Sequence, residues 1–221
     1  MTRRRFLIWG GGGHGKVVAD LVRASGDDVV GFVDRDAAKL GEVVDPGGAR
    51  VVLAEDEFVA SLGDGGAWRY DASAVALAVG DNAARLACLA RLADVDAPAL
   101  VHPTAARSPS AVVGRGAVVF ANAVVNAAAA IGSAVIVNSG AVVEHDCDVG
   151  DGAHVSPGAV LSGGVRVGAR TWIGAGATVI QGVRIGADVV VGAGAVVIRD
   201  VPDGATVVGN PARVISTARR A

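Results

Sequence analysis

Aliphatic side chains recur at every sixth position through the second half of the chain. Between Val101 and Val197, 17 positions follow this spacing and 16 of them are aliphatic, Arg107 being the exception. The residue four positions after each is small, from Ala105 through Val201. Neither the 3.6-residue period of a helix nor a heptad repeat matches this spacing. The period of six, unbroken over about 100 residues, therefore indicates an internal structural repeat.

The spacing predicts very short strands that stack on one another. A large and a small residue two positions apart point to the same side of a strand. The turns between them carry Gly, Asn or Asp, which tolerate positive φ angles. Three such strands with their turns close one coil of about 18 residues, and stacked coils bury a continuous aliphatic column. The pattern predicts a parallel β-helix of five to six coils, about 27 Å long at the usual strand spacing.

The first half of the chain shows a different pattern. An apolar run at Arg5–Trp9 predicts a strand, and a helical pattern covers Lys16–Ala24. The intervening glycines Gly10, Gly12 and Gly15 satisfy the spacing G-x-G-x-x-G, which lets backbone amides approach a phosphate at a helix N-terminus. A glycine turn that only packs a helix onto a sheet is the alternative. A second apolar run, Val29–Val33, ends at Asp34, where a ribose hydroxyl is often bound.

These elements predict a small Rossmann-like domain. Ala74–Val79 reads as a further strand, and a helix extends to about Ala93, while Val44–Ala49 and Gly63–Gly66 read as loops. About 95 residues hold only half of a dinucleotide-binding fold, which favours a mononucleotide or a nucleotide sugar over NAD. We expect an α/β + β chain, with a Rossmann-like nucleotide-sugar-binding domain at 1–98 and a β-helix at 99–221.

Composition and charge exclude several classes of protein. The chain has 20 basic and 22 acidic residues, so its net charge of −2 gives no electrostatic basis for nucleic-acid binding. Gly116–Val143 lacks charged residues over a span long enough for a bilayer, but polar residues and the wrong period argue against a membrane span. Two cysteines cannot form a disulfide scaffold. Thr2–Leu7 resembles the start of an export signal, but the apolar stretch that should follow such a start is missing. We expect a cytoplasmic protein.

Several motifs together resemble a known family, the bacterial sugar acyltransferases of the NeuD/PglD type. The resemblance covers nearly the whole chain. It rests on GGGGHGKVV at Gly10–Val18, FVD at Phe32–Asp34, GDN at Gly80–Asn82, NSGAVVEHDCDVGDGAHVSPGA at Asn138–Ala159 and GNPAR at Gly209–Arg213. It implies an acetyl-CoA-dependent N-acetyltransferase of a nucleotide-linked 4-amino-4,6-dideoxy sugar. It also implies a left-handed β-helix and a homotrimer with active sites between subunits.

Transfer of an acetyl group to an amine requires a base, and histidine is suited to that role near neutral pH. His145 lies in a turn between the aliphatic positions Val143 and Cys147, so its side chain is expected to project outward as the general base. The resemblance assigns Asp146 to orienting the ring, while Glu144 shapes the turn. Cys147 takes an inward position, so we expect direct attack by the amine without an acyl-enzyme.

The remaining candidate residues form two groups. His154 is placed beside the acetyl group by the resemblance, with a pantetheine groove along Gly163, Ala175 and Ala193. The substrate-binding candidates are polar or glycine residues near the loops, namely Gly12, Gly13, His14, Lys16, Asp34, Asp81, Asn82 and Asn138. Ordinary structural roles remain open for several: a helix cap for His14, a solvated lysine at Lys16, a strand-end cap at Asp34, a turn asparagine at Asn138. No metal is expected.

Other functions fit parts of the same pattern. O-acetylation of a sugar such as a sialic acid fits the same fold, and a non-catalytic nucleotide-sugar-binding trimer would use the same domains. A zinc carbonic anhydrase of the γ type needs three converging histidines. His145 and His154 have no suitably spaced third, which argues against that enzyme.

Overall fold

The computed structural model describes residues 3–62 and 71–217, and the predicted loop Gly63–Gly66 lies outside them. The chain forms two compact units, Met1–Leu100 and Val101–Ala221. No helix in the described ranges is long and apolar enough to span a bilayer.

The first unit is a four-stranded parallel sheet with helices in its connections. The strands are β1 (Arg5–Trp9), β2 (Asp28–Asp34), β3 (Val51–Ala54) and β4 (Ala74–Leu77), and their order is β3-β2-β1-β4. The helices are α1 (Gly13–Ala24), α2 (Glu55–Leu62), α3 (Asn82–Arg91) and a 3-10 turn at Ala37–Lys39. The Rossmann-like prediction is confirmed, although β3 and α2 were not predicted from the sequence.

Two predicted boundaries in this unit were wrong. The helix expected from Lys16 begins at Gly13, because Gly12 already takes the extended N-cap conformation. The strand expected to reach Val79 ends at Leu77, and the connection to α3 follows it. Asp81 caps that helix through its side chain, which accepts the Ala84 amide at 2.7 Å.

Gly10 connects β1 to the glycine loop, and no larger residue fits there. Its φ of +124° lies in the region that favours glycine. A Cβ atom on Gly10 would lie 2.5 Å from the Ala78 carbonyl oxygen on the neighbouring strand connection. The glycine therefore allows two sheet connections to pass close together at the edge where the loop begins.

The second unit is a ladder of two-residue strands, as the period of six predicted. The strands recur at every sixth position from β5 to β21, and they are Leu100–Val101, Ala106–Arg107, Val112–Val113, Val118–Val119, Val124–Val125, Ala130–Ile131, Ile136–Val137, Val142–Val143, Asp148–Val149, His154–Val155, Val160–Leu161, Arg166–Val167, Trp172–Ile173, Thr178–Val179, Arg184–Ile185, Val190–Val191 and Val196–Val197. A hairpin of β22 (Ala205–Val208) and β23 (Arg213–Thr217) follows them.

Every third strand belongs to the same sheet, so the ladder has three faces. The first sheet begins at β5 and contains β8, β11, β14, β17, β20 and the terminal hairpin. The second runs from β6 to β21 and the third from β7 to β19. Neighbours in each sheet are parallel, and Ile136 pairs with His154 as His154 pairs with Trp172. Each pairing spans three strand repeats, so the predicted coil of three strands is confirmed.

The interior of the β-helix is the aliphatic column that the periodicity predicted. Val143, Val155 and Leu161 are fully buried, as are most members of both six-residue series. Thr171 occupies one of the small positions with its hydroxyl buried. That hydroxyl donates to the Gly186 carbonyl at 2.6 Å and accepts the Val189 amide at 3.1 Å, so its polar group is satisfied inside the core.

Candidate active site

His145 projects from the corner between the second and third sheets, just after Val142–Val143. Its Nδ1 atom lies 2.7 Å from the Asp146 carboxylate, and 62% of its side chain is exposed. Asp146 has a φ of +60°, a conformation that aspartate tolerates better than most residues. The structure thus brings the two predicted catalytic residues together. With Nδ1 held by the carboxylate, Nε2 is the ring nitrogen available to a ligand.

The Asp146 carboxylate hydrogen bond raises the pKa of His145 above its ordinary value. The imidazolium form is the one stabilised, so the raised pKa falls when the carboxylate charge is removed. We expect Asp146→Asn to lower the pKa of His145, measured by NMR titration of the ring protons. Asp148→Asn, an exposed carboxylate two positions away, is the matched control and should leave the titration unchanged. An equal pKa in wild type and Asp146→Asn would contradict the assigned contact.

Gly163 lies against the His145 ring, one coil later along the same corner. A Cβ atom at this position would lie 2.7 Å from both Cε1 and Nε2 of His145. Gly163 was predicted to share one groove with Ala175 and Ala193, and the shared groove stays a prediction. Gly163 belongs to the corner between the second and third sheets, whereas Ala175 and Ala193 lie between the first and second.

Glu144 is held by a neighbour that was not predicted from the sequence. Its Oε2 atom accepts a hydrogen bond from Nδ2 of Asn126 at 2.9 Å, one coil below. The separation of these two residues by one full coil was the available signal. The contact fixes the turn before His145, in keeping with the shaping role predicted for Glu144.

His154 lies on the outer face of the first sheet between two contacts. Asn138 Oδ1 accepts the Ser139 amide, so its Nδ2 group faces Nε2 of His154 at 3.0 Å. An Nδ2 donor makes Nε2 the acceptor, which places the proton of the neutral ring on Nδ1. On the other side Trp172 stacks on the imidazole, with ring centroids 6.2 Å apart and planes 5° from parallel.

Trp172 was missed, although its position one coil after His154 was visible in the sequence. Its Nε1 atom donates to the buried Ser156 hydroxyl at 2.7 Å. His154, Trp172, Ala175 and Ala193 line one open, mostly apolar groove of about 400 Å³. The groove has the small residues that the prediction required at Ala175 and Ala193, and its floor suits an extended chain with few charges.

The two histidines occupy different edges of the β-helix. His145 lies between the second and third sheets, while the groove beside His154 extends from the first sheet toward its corner with the second. Within the described residues no hydrogen bond joins them. One chain therefore presents the Nε2 atom and the groove on separate surfaces.

Cys147 is a core residue, as predicted. It is 1% exposed and its thiol donates to the Ser162 carbonyl at 3.2 Å. Burial raises the pKa of this thiol, so it stays protonated near neutral pH. In the described part of the chain, no three His, Cys, Asp or Glu side chains are grouped to hold a metal ion.

A second cavity, of about 410 Å³, opens at the glycine loop of the first unit. Gly12, Asp34 and Asp81 are among its lining residues, together with Gly80 and Lys39. Burial acts to raise the pKa of Asp34. Hydrogen bonds from the Asp36 amide, Lys39 and the Gly11 amide outweigh it, so the pKa lies below its usual value. The carboxylate stays charged and shapes the loop that precedes α1.

The other candidates of this unit lie around the cavity without lining it. Gly13 is the exposed first residue of α1, and Lys16 is exposed on the same helix. His14 does not cap α1. The N-cap residue is Gly12, and no side chain forms a capping hydrogen bond there. Burial and the charge of Arg85 lower the pKa of His14 to about 4. Asn82 accepts a hydrogen bond from Arg85 at 2.8 Å instead of facing the cavity.

Comparison with known proteins assigns both units. Residues 5–92 match the PglD N-terminal domain, and residues 164–199 match the bacterial transferase hexapeptide family of six repeats. PerB from Caulobacter crescentus, solved with CoA and GDP-perosamine, is 38% identical over 96% of this chain and 97% of its own, with a TM-score of 0.85. The chain belongs to the PglD-like sugar acetyltransferases. No curated protein sequence matches it.

Two further solved structures match over nearly their full length. The acetyltransferase domain of PglB from Neisseria gonorrhoeae FA1090, solved with acetyl coenzyme A, is 39% identical over 97% of this chain and all of that one, with a TM-score of 0.85. WeeI from Acinetobacter baumannii AYE is 28% identical over 95% and 99%, with a TM-score of 0.82. The ladder of short strands is accordingly the left-handed β-helix of hexapeptide acetyltransferases.

Proposed function

We propose that the protein transfers the acetyl group of acetyl-CoA to the 4-amino group of a nucleotide-linked 4-amino-4,6-dideoxy sugar. The exposed His145–Asp146 pair carries the proposal, because it offers a base on a chain that resembles PerB from end to end. PerB is described with CoA and GDP-perosamine, and the PglB domain with acetyl coenzyme A. Acetyl-CoA and nucleotide sugars are intracellular substrates, which favours a cytoplasmic site of action.

The proposed reaction uses the contacts of the two histidines. Nε2 of His145 takes a proton from the sugar amine as the amine attacks the thioester carbonyl. The Nδ1–H group of His154 donates to the oxyanion that develops on that carbonyl. The carbon–sulfur bond then breaks, and the CoA thiolate recovers the proton from the His145 imidazolium. The neutral, buried Cys147 thiol supports direct transfer without an acyl-enzyme.

We further propose that the active form is a homotrimer. His145 and the His154 groove lie on different edges of one β-helix, so one chain does not hold both around a single ligand. A cleft between two copies, with His145 from one and the groove from the next, would bring base and acyl group together. In this arrangement Asn138 reaches the sugar side of the cleft while holding His154.

Release of CoA thiol tests the reaction. Purified protein receives acetyl-CoA with UDP-, GDP- or dTDP-linked 4-amino-4,6-dideoxy sugars, and with sialic acid as an O-acceptor. Release with one amino sugar supports the proposal and identifies the nucleotide. Release only with sialic acid would replace N-acetylation with O-acetylation, and no release from the folded protein would favour a binding role.

Light scattering tests the assembly in the same preparation. We expect a mass about three times the 21.8 kDa of the chain. An active enzyme with the mass of one chain would overturn the shared site, because each copy would then have to complete the reaction alone.

A further inference from the structure

Arg85 is fully buried in the first unit, although it is charged. Burial lowers its pKa to about 10, so the guanidinium remains protonated at neutral pH. Its Nη1 atom donates to the carbonyl oxygens of Val79 and Gly80 at 3.0 and 3.1 Å, and Nη2 donates to Asn82. Val79 and Gly80 lie in the connection between β4 and α3, and Asn82 is the first residue of α3. One rigid fork therefore fixes this connection from inside the unit.

The orientation of those carbonyls sets the direction of the next amides. In a trans peptide the C=O and N–H bonds point in opposite directions. The Val79 and Gly80 carbonyls face Arg85, so the amides of Gly80 and Asp81 point away from it. Gly80 and Asp81 also line the cavity at the glycine loop. Across residues 3–62 and 71–217 neither amide has an acceptor.

The glycine loop, which lines the same cavity, carries donors of the same kind. The helix α1 begins at Gly13 with no acidic residue in its first turn and no side-chain cap at Gly12. Asp34 holds the loop by accepting the Gly11 amide at 3.0 Å. Two segments with backbone donors thus line the cavity. Asp34 fixes the glycine loop, and the buried Arg85 fixes the connection that carries the Gly80 and Asp81 amides. Such paired donors suit the two phosphates of a nucleoside diphosphate.

We infer that Arg85 is a positioning residue for the nucleotide, holding the Gly80 and Asp81 amides toward a diphosphate in the cavity that the glycine loop also lines. The inference rests on the proposed function for the nature of the ligand. Arg85 is buried, so it acts through the peptide groups it orients. The Asp81 carboxylate is turned to the start of α3, where its Oδ1 atom accepts the Ala84 amide.

Binding of UDP, GDP and dTDP by calorimetry tests this role directly. For the nucleotide that wild type binds, Arg85→Met should weaken affinity by about 10- to 100-fold, because two donors to a charged group lose their orientation. Arg85→Lys keeps the positive charge but loses the forked guanidinium, so its affinity for the nucleotide should lie between those of wild type and Arg85→Met. Arg91→Met, an exposed arginine on the same helix, is the matched control and should bind as wild type.

Two NMR readouts separate positioning from a merely structural role. Adding the nucleotide should shift the Gly80 and Asp81 amide resonances in wild type. The pKa of His14 should rise in Arg85→Met and stay low in Arg85→Lys, because the arginine charge is one of the two causes of its lowering. CoA binding, which uses the other unit, should be unchanged in both variants.

Several results would overturn the inference. One is a folded Arg85→Met variant that binds the nucleotide as tightly as wild type. Another is that the Gly80 and Asp81 amide resonances do not shift when the nucleotide is added. A third is that wild type binds none of UDP, GDP and dTDP. Should Arg85→Met fail to fold, Arg85→Lys decides by its affinity. A failure of acetyl transfer with intact diphosphate binding would count against the proposed function alone.

Discussion

Replacing His145 with glutamine is expected to lower kcat by about 10²- to 10⁴-fold, the usual effect of losing a general base. Glutamine keeps much of the size and polarity of the ring but does not take a proton at neutral pH. The side chain is exposed and makes its one assigned contact with Asp146, so the fold should be unaffected. Thiol release at saturating acetyl-CoA and amino sugar measures the loss.

His102→Gln provides the comparison for that experiment. His102 lies in the same unit, and its Nδ1 atom is 2.8 Å from the Thr104 hydroxyl, a contact within its own turn. Its replacement should leave kcat within about twofold of wild type. If His145→Gln kept wild-type kcat, the base would have to be another group, and the proposed mechanism would be withdrawn.

The second large effect is expected at Gly163, which touches no substrate in the proposed reaction. An alanine Cβ would lie 2.7 Å from two atoms of the His145 ring, a distance that forces the ring to move. The exposed ring can swing toward solvent, so thermal stability should change little. Displacement of a base by an ångström or less is expected to cost about 10- to 100-fold in kcat.

A double-mutant cycle identifies the cause of that loss. Gly163→Ala should have no further effect on kcat when His145 is already glutamine, since the ring it displaces is gone. Additive losses in the double variant would show that Gly163 acts elsewhere, for instance on CoA as the sequence pattern predicted.

The β-helix was predictable because its signal is carried by every coil. A period of six with large and small inward positions leaves few structures open, and Val143 and Leu161 lie where the pattern places them. The missed elements of the first unit lack such repetition. The strand Val51–Ala54 is very short, and α2 after it buries a single side chain, Phe58. A helix that packs by one residue leaves little periodicity to detect.

The candidate site was predictable as far as residues lie next to each other in sequence. His145 and Asp146 are adjacent, so predicting the turn that contains them was enough to place them together. The corner that Gly163 occupies was not predicted, because small size alone does not say which corner a residue occupies. Positions 175 and 193 are one full coil apart and share a corner, while 163 and 175 are two thirds of a coil apart and do not. The coil length contained that distinction.

Arg85 escaped notice for another reason. Its neighbours on the buried side of α3 are Cys88 and Leu89, at helical spacing, so a charge stood in a core-facing position. Helix pattern alone does not show what a charge in that position bonds to. Only the structure shows the carbonyls of Val79 and Gly80 turned toward it.

The constant length of the coil also determines how the positions of functional side chains on the β-helix can change. Because neighbouring coils are about 4.8 Å apart, functional side chains on the β-helix are separated along its axis in whole steps. An insertion of one complete coil would move everything beyond it by one step and keep every inward position inward. An insertion of a single residue would exchange core and surface over all later coils. The axial distance between two functional side chains of this unit therefore changes by whole coils when coils are gained or lost.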